Sequence, residues 1–244
     1  MDQDGYFGED VAARYDETAT DRFDRDEVDA TVDLLAELAG GGRALELAIG
    51  TGRIALPLAA RGVDVSGIEL SRAMVRYLRA KPGGDDIEVA IGDMSTATVD
   101  GSFSLVYLVF NSIGNLTTQD GQVACFKNAA AHLSPGGCFL IEIVVPELRT
   151  LAPGERYQLF YGSDDYWGID EYDVVNQGLI SHHIENVGGR YRRVSMPFRY
   201  AWPAEFDLMA RLAGMTLRDR WAGWRREPFT AESRQHVSVW QKPA

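Results

Sequence analysis

Two short stretches, Glu46-Leu47-Ala48-Ile49-Gly50-Thr51-Gly52 and Gly67-Ile68-Glu69-Leu70-Ser71, put a glycine-bearing turn and a carboxylate where they can hold a nucleoside. Arg43 to Ile49 is apolar and strand-like. Thr51 to Gly62 has helical periodicity and stops at a glycine, and Asp64 to Leu70 reads as the next strand. A glycine turn lets backbone approach a ligand closely, and the helix behind it offers free N–H groups. Glu69, 17 residues past Gly52, falls at the carboxyl end of the second strand. A carboxylate there accepts hydrogen bonds from both hydroxyls of a ribose. The alternative role is structural, a strand-end acid capping the helix that starts at Ser71.

The elements around these turns alternate between strand and helix. Residues 1–39 are charged and helical in pattern, with apolar positions three and four apart in 11–16 and 28–38. Gly40-Gly41-Gly42 separates this arm from the first strand. Ser71 is set to cap a helix running to Ala80, and Ile87 to Ile91 is a third strand. Thr118 to His132 reads as a helix closed by Pro135-Gly136-Gly137. After Val145 the pattern changes to short β segments rich in Tyr and His, with a two-residue hairpin turn at Gly188-Gly189. Pro203 to Gly214 is a helix with Pro near its start and Gly past its end. Residues 216–224 and 236–240 supply the last strands. The expected organisation is a helical arm over 1–39, an α/β core over 40–146 and 203–244, and a small antiparallel β insertion over 147–202.

Composition bounds the function. The 244-residue chain carries a net charge of -12, which opposes binding to phosphate backbones, so a nucleic-acid partner is not expected. Arg190-Tyr-Arg-Arg193 is the one short basic candidate, and it reads as a solvated hairpin strand. No apolar run approaches membrane-spanning length. The start, Met1 to Asp10, lacks an apolar signal region, so export is not expected. Cys125 and Cys138 suggest neither a disulfide framework nor a metal site. A reducing cytoplasm fits.

In order and spacing these motifs resemble the class I S-adenosylmethionine-dependent methyltransferases. The family's first motif is an acidic residue, an apolar residue, then Gly-x-Gly-x-Gly. Glu46, Gly50 and Gly52 match it, and Ala48 replaces the first glycine. That methyl group narrows the gap beside the methionine end of the cofactor. The resemblance maps the ribose-binding acid onto Glu69, with Leu70 beside it, and the adenine-contacting pair onto Asp93 and Met94. It maps the family's fourth strand onto Phe103 to Asn111 and its fifth, entered through the Leu133-Ser-Pro-Gly-Gly137 turn, onto Cys138 to Val145, and implies a Rossmann-like seven-stranded sheet with helices on both faces and an antiparallel last strand. It covers residues 40–145 well and 203–243 more loosely. Tyr15, in the arm, is placed to close over the methionine end of the cofactor or else to pack on the arm helix.

Methyl transfer from a sulfonium needs alignment of acceptor, methyl and sulfur, and exclusion of water. It needs no metal, and no side-chain cluster here has metal-ligand spacing. A base helps only when the acceptor arrives as a protonated amine. The loop Phe110-Asn-Ser-Ile-Gly-Asn-Leu116 resembles one in methyltransferases acting on amino groups of nucleotide-linked sugars. Phe110 then falls at the cofactor, and Asn111 orients the acceptor or simply forms the turn. His182 and His183 face opposite sides of one strand. His182 shares a face with Ile180 and Ile184, which reads as packed, and His183, beside Ser181 and Glu185, is the candidate base. Tyr161, Trp167, Tyr200 and Trp202 concentrate aromatic surface in the insertion, suited either to a small-molecule acceptor pocket, cations included, or to core packing. Two other functions share the sheet. A nicotinamide oxidoreductase requires Gly-x-Gly-x-x-Gly, and Ala55 stands where its third glycine is expected. A non-catalytic cofactor-binding protein would keep every cofactor motif.

Overall fold

The computed structural model describes residues 6–19 and 25–244; residues 1–5 and 20–24 of the expected arm lie outside the described residues. Seven strands form one sheet: β1 (Ala44–Leu47), β2 (Val65–Glu69), β3 (Glu88–Ile91), β4 (Phe103–Leu108), β5 (Leu133–Val144), then, after the insertion, β10 (Thr216–Trp221) and β11 (Gln235–Gln241). Their order across the sheet is β3-β2-β1-β4-β5-β11-β10. All neighbours are parallel except β11, which runs antiparallel to β5 and β10. β1 and β2 are buried along their whole length, as parallel strands covered on both faces must be.

Helices α2 (Arg25–Ala39) and α3 (Ala55–Ala60) pack Val32, Leu35 and Leu58 on one face of the sheet, together with Ile54 just before α3, and Leu78 of α4 (Arg72–Arg79) joins them. On the other face lie α5 (Gln119–His132) and α6 (Pro203–Leu212). There Phe126 meets Phe139 edge-on at 5.1 Å and Trp240 at 5.2 Å. Trp240 is fully buried, and its ring N–H donates to Asp207 at 2.9 Å, so burying the indole strands no donor. Ser71 caps α4 by accepting from the Met74 N–H, Thr118 caps α5 through Gly121, and Pro203 opens α6.

Several boundaries differ from the sequence reading for local reasons. The helix after the glycine turn starts at Ala55 rather than Thr51, because Gly52 is in the left-handed region (φ 79°) and a right-handed helix cannot begin there. The fourth strand ends at Leu108, since Phe110 and Asn111 both have positive φ (58° and 60°). The fifth begins at Leu133, because Leu133 already pairs with Phe103 before an irregularity shifts the register.

A second sheet holds four antiparallel strands in sequence order: β6 (Tyr157–Gly162), β7 (Tyr166–Asp173), β8 (Gly178–Val187) and β9 (Arg190–Arg199). Gly188 and Gly189 make the β8–β9 turn, both at positive φ. Arg199, only 5% exposed, ties this sheet to the core. Its guanidinium donates to Gln122 of α5 (2.6 Å), Gln177 (3.1 Å) and Glu205 of α6 (2.6 Å).

Gly67 lies at the centre of β2, beneath the turn that follows β1. A Cβ there would stand 2.6 Å from Ile49 Cδ1 and 2.9 Å from Ile49 Cβ and Cγ2. Gly67→Ala therefore overpacks the support of that turn. It is expected to cost about 1–3 kcal/mol and lower Tm by several degrees in a thermal melt; an unchanged Tm would show that Ile49 moves aside freely.

Candidate functional site

The turn after β1 is built on left-handed backbone: Ala48 (φ 55°), Gly50 (58°) and Gly52 (79°). The methyl of Ala48 thus has a conformational cost as well as a steric one, of the order of 1–2 kcal/mol for an L-residue in that region. Two of its glycines differ in kind. A Cβ on Gly52 would lie 3.0–3.2 Å from Leu78 and Leu56, so packing excludes one; a Cβ on Gly50 would meet only the Ala48 carbonyl oxygen, at 4.0 Å, which leaves open space for a ligand.

Glu69, 6% exposed, braces this turn. Its Oε2 accepts from the Gly50 N–H at 2.8 Å, and its Oε1 from the Ser71 N–H at 2.9 Å. The structural role read from the sequence is present, and a carboxylate with about four lone-pair sites retains capacity for hydroxyl donors. Glu46 lies beneath the turn, 3% exposed, taking the Tyr107 hydroxyl at 3.0 Å. Burial pushes its carboxyl up to about 8, although the Tyr107 bond pulls the other way. Leu70 is 47% exposed at the end of β2. Asp93 follows β3 at the same edge; its Oδ1 accepts from the Ser95 N–H (2.7 Å) and hydroxyl (2.6 Å), with Met94 buried beside it. Glu69 and Asp93 thus end adjacent strands, and the Gly92 N–H donates to the Glu69 carbonyl at 2.9 Å.

Across the sheet, the loop after β4 approaches the same turn. Phe110 N–H donates to Glu142 Oε2 at 2.7 Å, and Asn111 Oδ1 accepts from the Val144 N–H at 2.7 Å. The Arg53 guanidinium carbon stands 5.4 Å from both the Tyr15 and the Phe110 ring centroids, bridging the arm, the turn and the loop. Tyr15 sits on α1 (Glu9–Ala19); burial, against the pull of Arg53, raises its hydroxyl above the usual range, with Glu69 and Glu46 in electrostatic reach. The arm is fastened at several points. Thr51 donates to Asp16 at 2.6 Å, Lys81 pairs with Asp16 at 2.6 Å, and the Ser71 hydroxyl donates to the Phe7 carbonyl at 2.6 Å. Sequence reading missed Asp16, Lys81, Glu142 and Arg199, because each acts across tens of residues; for Glu142 and Arg199 the signal is buried charge, and for Asp16 and Lys81 it is a mutual ion pair.

The insertion sorts its side chains by register. His183 pairs with Gly168 and Val194, on the same side as Ser181, Glu185, Arg192 and Tyr166. This side meets the rest of the molecule: Phe198 would crowd a Cβ on Gly114 at 3.2 Å, and Tyr166, Arg192 and Glu185 act electrostatically on Tyr6 of the arm. The packed-face assignment is corrected accordingly. Ser181 is buried and Ile180 is 38% exposed, so the Ile180–His182 side is the outer one. His182 there pairs with Glu171 (3.2 Å) and Ser195 (2.8 Å). His183 Nδ1 is hydrogen-bonded to the Tyr166 hydroxyl, and its Nε2 lies 3.4 Å from Ser181 Oγ.

The four aromatics expected to line one pocket are not gathered together. Trp167 lies in register with Ile184 on the outer side and contacts Tyr191 at 5.7 Å, because strand alternation puts it opposite Tyr166. Tyr200 is buried against Tyr172 at 5.9 Å, Trp202 is 41% exposed just before α6, and Tyr161 packs on Tyr166 at 5.6 Å. No helix among the described residues is long and apolar enough to cross a membrane, and no group of three or more metal-type ligands forms among them.

Comparison with known proteins gives the class. Residues 44–137 match the family described as a methyltransferase domain. The CcbJ methyltransferase from Streptomyces caelestis superposes with a TM-score of 0.87 at 35% identity, over 98% of each chain. The cypemycin N-terminal methyltransferase of a Streptomyces species is 27% identical over 238 residues, 93% of this chain and 97% of that one. A dTDP-3-amino-3,4,6-trideoxy-alpha-D-glucopyranose N,N-dimethyltransferase of Streptomyces venezuelae is 33% identical over 98 residues, 40% of each. The chain belongs to the class I S-adenosylmethionine-dependent methyltransferases.

The raised Glu46 and Glu142 carboxyls, at about 8 and about 7, set a pH dependence. Unfolded, both lose their protons near the ordinary carboxyl value of 4.5, so above that value the folded state holds the extra protons and loses stability as pH rises. The slope, up to each group's folded value, is about 1.4 kcal/mol per pH unit per group. Buried His236, lowered to about 3 by burial and by Arg220, acts oppositely, but only below the ordinary imidazole value of 6.5. Melts should therefore show Tm falling from pH 6.5 to 8, and Glu46→Gln should flatten that fall; an equal slope in the variant would remove Glu46 as its source.

Proposed function

We propose that this methyltransferase moves the methyl group of S-adenosylmethionine to an amine nitrogen of a small molecule in specialised metabolism. The open space over Gly50, the strand-end acids Glu69 and Asp93, and the aromatic cover of Tyr15 and Phe110 support the cofactor's fit. In this reading Glu69 takes the ribose hydroxyls and Asp93 with Met94 and Leu70 takes the adenine. Ala48, Gly50 and Gly52 pass beneath the methionine end, Glu46 supports them from below, and Tyr15 covers it. The cofactor supplies an electrophilic methyl carbon on a sulfur that leaves as a neutral thioether.

The observation that carries the acceptor assignment is the inward side of the insertion, residues 147–202. It presents Tyr166, Ser181 and His183 toward an arm whose Phe7 and Tyr15 rings, 6.1 Å apart, lead down to the glycine turn. The named activities of two relatives are also on nitrogen. Asn111 is held in place through its Oδ1 and can turn its Nδ2 to the acceptor. Tyr161 and Tyr166 wall the acceptor, whereas Tyr200 supports that wall through Tyr172. Trp202 stands at its rim, and Trp167, on the outer side, contributes to sheet packing. His183, whose other ring nitrogen Tyr166 holds, takes a proton from the incoming ammonium, and the freed nitrogen lone pair forms the new N–C bond as the C–S bond breaks. The two cysteines, both buried and unbridged, fit work in a reducing cytoplasm.

Glu69→Ala tests the cofactor half by calorimetry with S-adenosylmethionine. Hydrogen bonds to a charged group contribute roughly 1.5–3 kcal/mol each, so Kd should rise on the order of tens to a thousandfold. An unchanged Kd in the folded variant, or NAD binding in place of S-adenosylmethionine, would reject the assignment. For the acceptor half, mass-spectrometric screening of amines with the purified enzyme should return a product 14 Da heavier. A protein that binds the cofactor and methylates nothing in that screen would favour the non-catalytic reading.

His183→Asn tests the base. The variant's deficit should be greatest at low pH, where an amine acceptor is mostly protonated, and should shrink as pH rises toward the amine's own pKa. Equal rates at every pH would leave alignment and desolvation as the whole mechanism.

A further inference from the structure

Phe110 and Asn111 are consecutive non-glycine residues in the left-handed region. One such residue is uncommon, and a bulky aromatic there is an outlier that surrounding structure must enforce. The enforcement comes from β5. Glu142 Oε2 accepts the Phe110 N–H at 2.7 Å, the Glu142 carbonyl accepts the Asn111 N–H at 3.3 Å, and Val144 N–H closes the clamp on Asn111 Oδ1 at 2.7 Å. Glu142 is a carboxyl only 6% exposed, near the end of β5 and flanked by Ile141 and Ile143. Burying such a group costs free energy unless it is used. Leu140 and Ile141 before it and Ile143 after it show that the strand needs no acid at that position for packing.

We propose that Glu142 is a positioning residue for methyl transfer: its side chain holds the strained Phe110–Asn111 pair so that the loop presents Phe110 and Asn111 at the edge where the cofactor turn, Arg53 and the arm meet. Glu142 does not touch the reacting atoms. It acts through the loop, and displacement of reacting groups by about 1 Å is enough to cost on the order of a hundredfold in rate. The proposal rests on the methyl-transfer reading only for its effect on turnover; the clamp itself is tested without any acceptor.

The test compares Glu142→Gln, which keeps an oxygen for the Phe110 N–H, with Glu142→Leu, which removes it. Hydrogen exchange of residues 109–116, measured without ligands, should accelerate about tenfold or more in Glu142→Leu and stay near native in Glu142→Gln, while exchange of β1 and β2 stays unchanged in both. With radiolabelled S-adenosylmethionine and the amine returned by the screen above, kcat should fall about ten- to a hundredfold in Glu142→Leu. Cofactor Kd should rise by a smaller factor than kcat falls, because the turn and Glu69 are untouched and only the Phe110 cover is loosened, and Glu142→Gln should recover most of kcat. Unaltered exchange of the loop in a folded Glu142→Leu overturns the proposal. So does a Glu142→Gln variant as impaired as Glu142→Leu, since the hydrogen bond would then be irrelevant. Should Glu142→Leu fail to fold, the native chain decides: a Phe110 amide that exchanges as fast as an open-loop amide in a ¹⁵N spectrum rejects the clamp, and strong protection there supports it.

Discussion

The backbone turns at the carboxyl edge of the central strands bring N–H groups to a crevice, and in this chain they are held by acids on the neighbouring strands. Glu69, at the end of β2, takes the Gly50 N–H of the turn after β1. Glu142, near the end of β5, takes the Phe110 N–H of the loop after β4. β1 and β4 are adjacent, and the strand order reverses between them. Both loops therefore diverge from the point where an open α/β sheet forms its ligand crevice. Each loop contains left-handed residues that would relax if released. A carboxylate is suited to hold them, because it accepts strong hydrogen bonds from backbone donors and has lone pairs to spare.

The arm lies against the glycine turn after β1, and the insertion reaches the arm. The arm is fastened by short polar contacts to the core around that turn: Asp16 to Thr51 and Lys81, Phe7 to Ser71. The insertion is anchored at one end by buried Arg199 and reaches the arm with its inward side. Its strand periodicity then decides chemistry. Adjacent histidines go to opposite surfaces, one into a hydrogen bond with Glu171 and one onto the Tyr166 hydroxyl. Excluding water from a methyl-transfer site requires cover of this kind, since the reaction itself asks little beyond alignment.

Much of this was legible in the sequence. Local signals fixed the order of strands and helices: the apolar runs of β1 and β2, the Ser71 and Thr118 caps, Pro203 at the start of α6 and the Gly188-Gly189 hairpin. The glycine turn after β1 and the strand-end positions of Glu69 and Asp93 were legible because each is defined by its own few neighbours and its spacing from the next motif. Tertiary structure decided what depended on partners far away in the chain. It showed that Glu69 braces the turn as well as ending a strand, and that Glu46 sits beneath the turn on Tyr107. It showed that Ser181 rather than Ile180 is buried, and that Trp167 and Tyr166 occupy opposite sides of β7. Glu142 reads in sequence as one acid in an apolar strand, and its meaning comes from a loop 32 residues earlier. Periodicity specifies which residues share a face; which face is covered depends on the elements packed against it, and that information lies in no single segment.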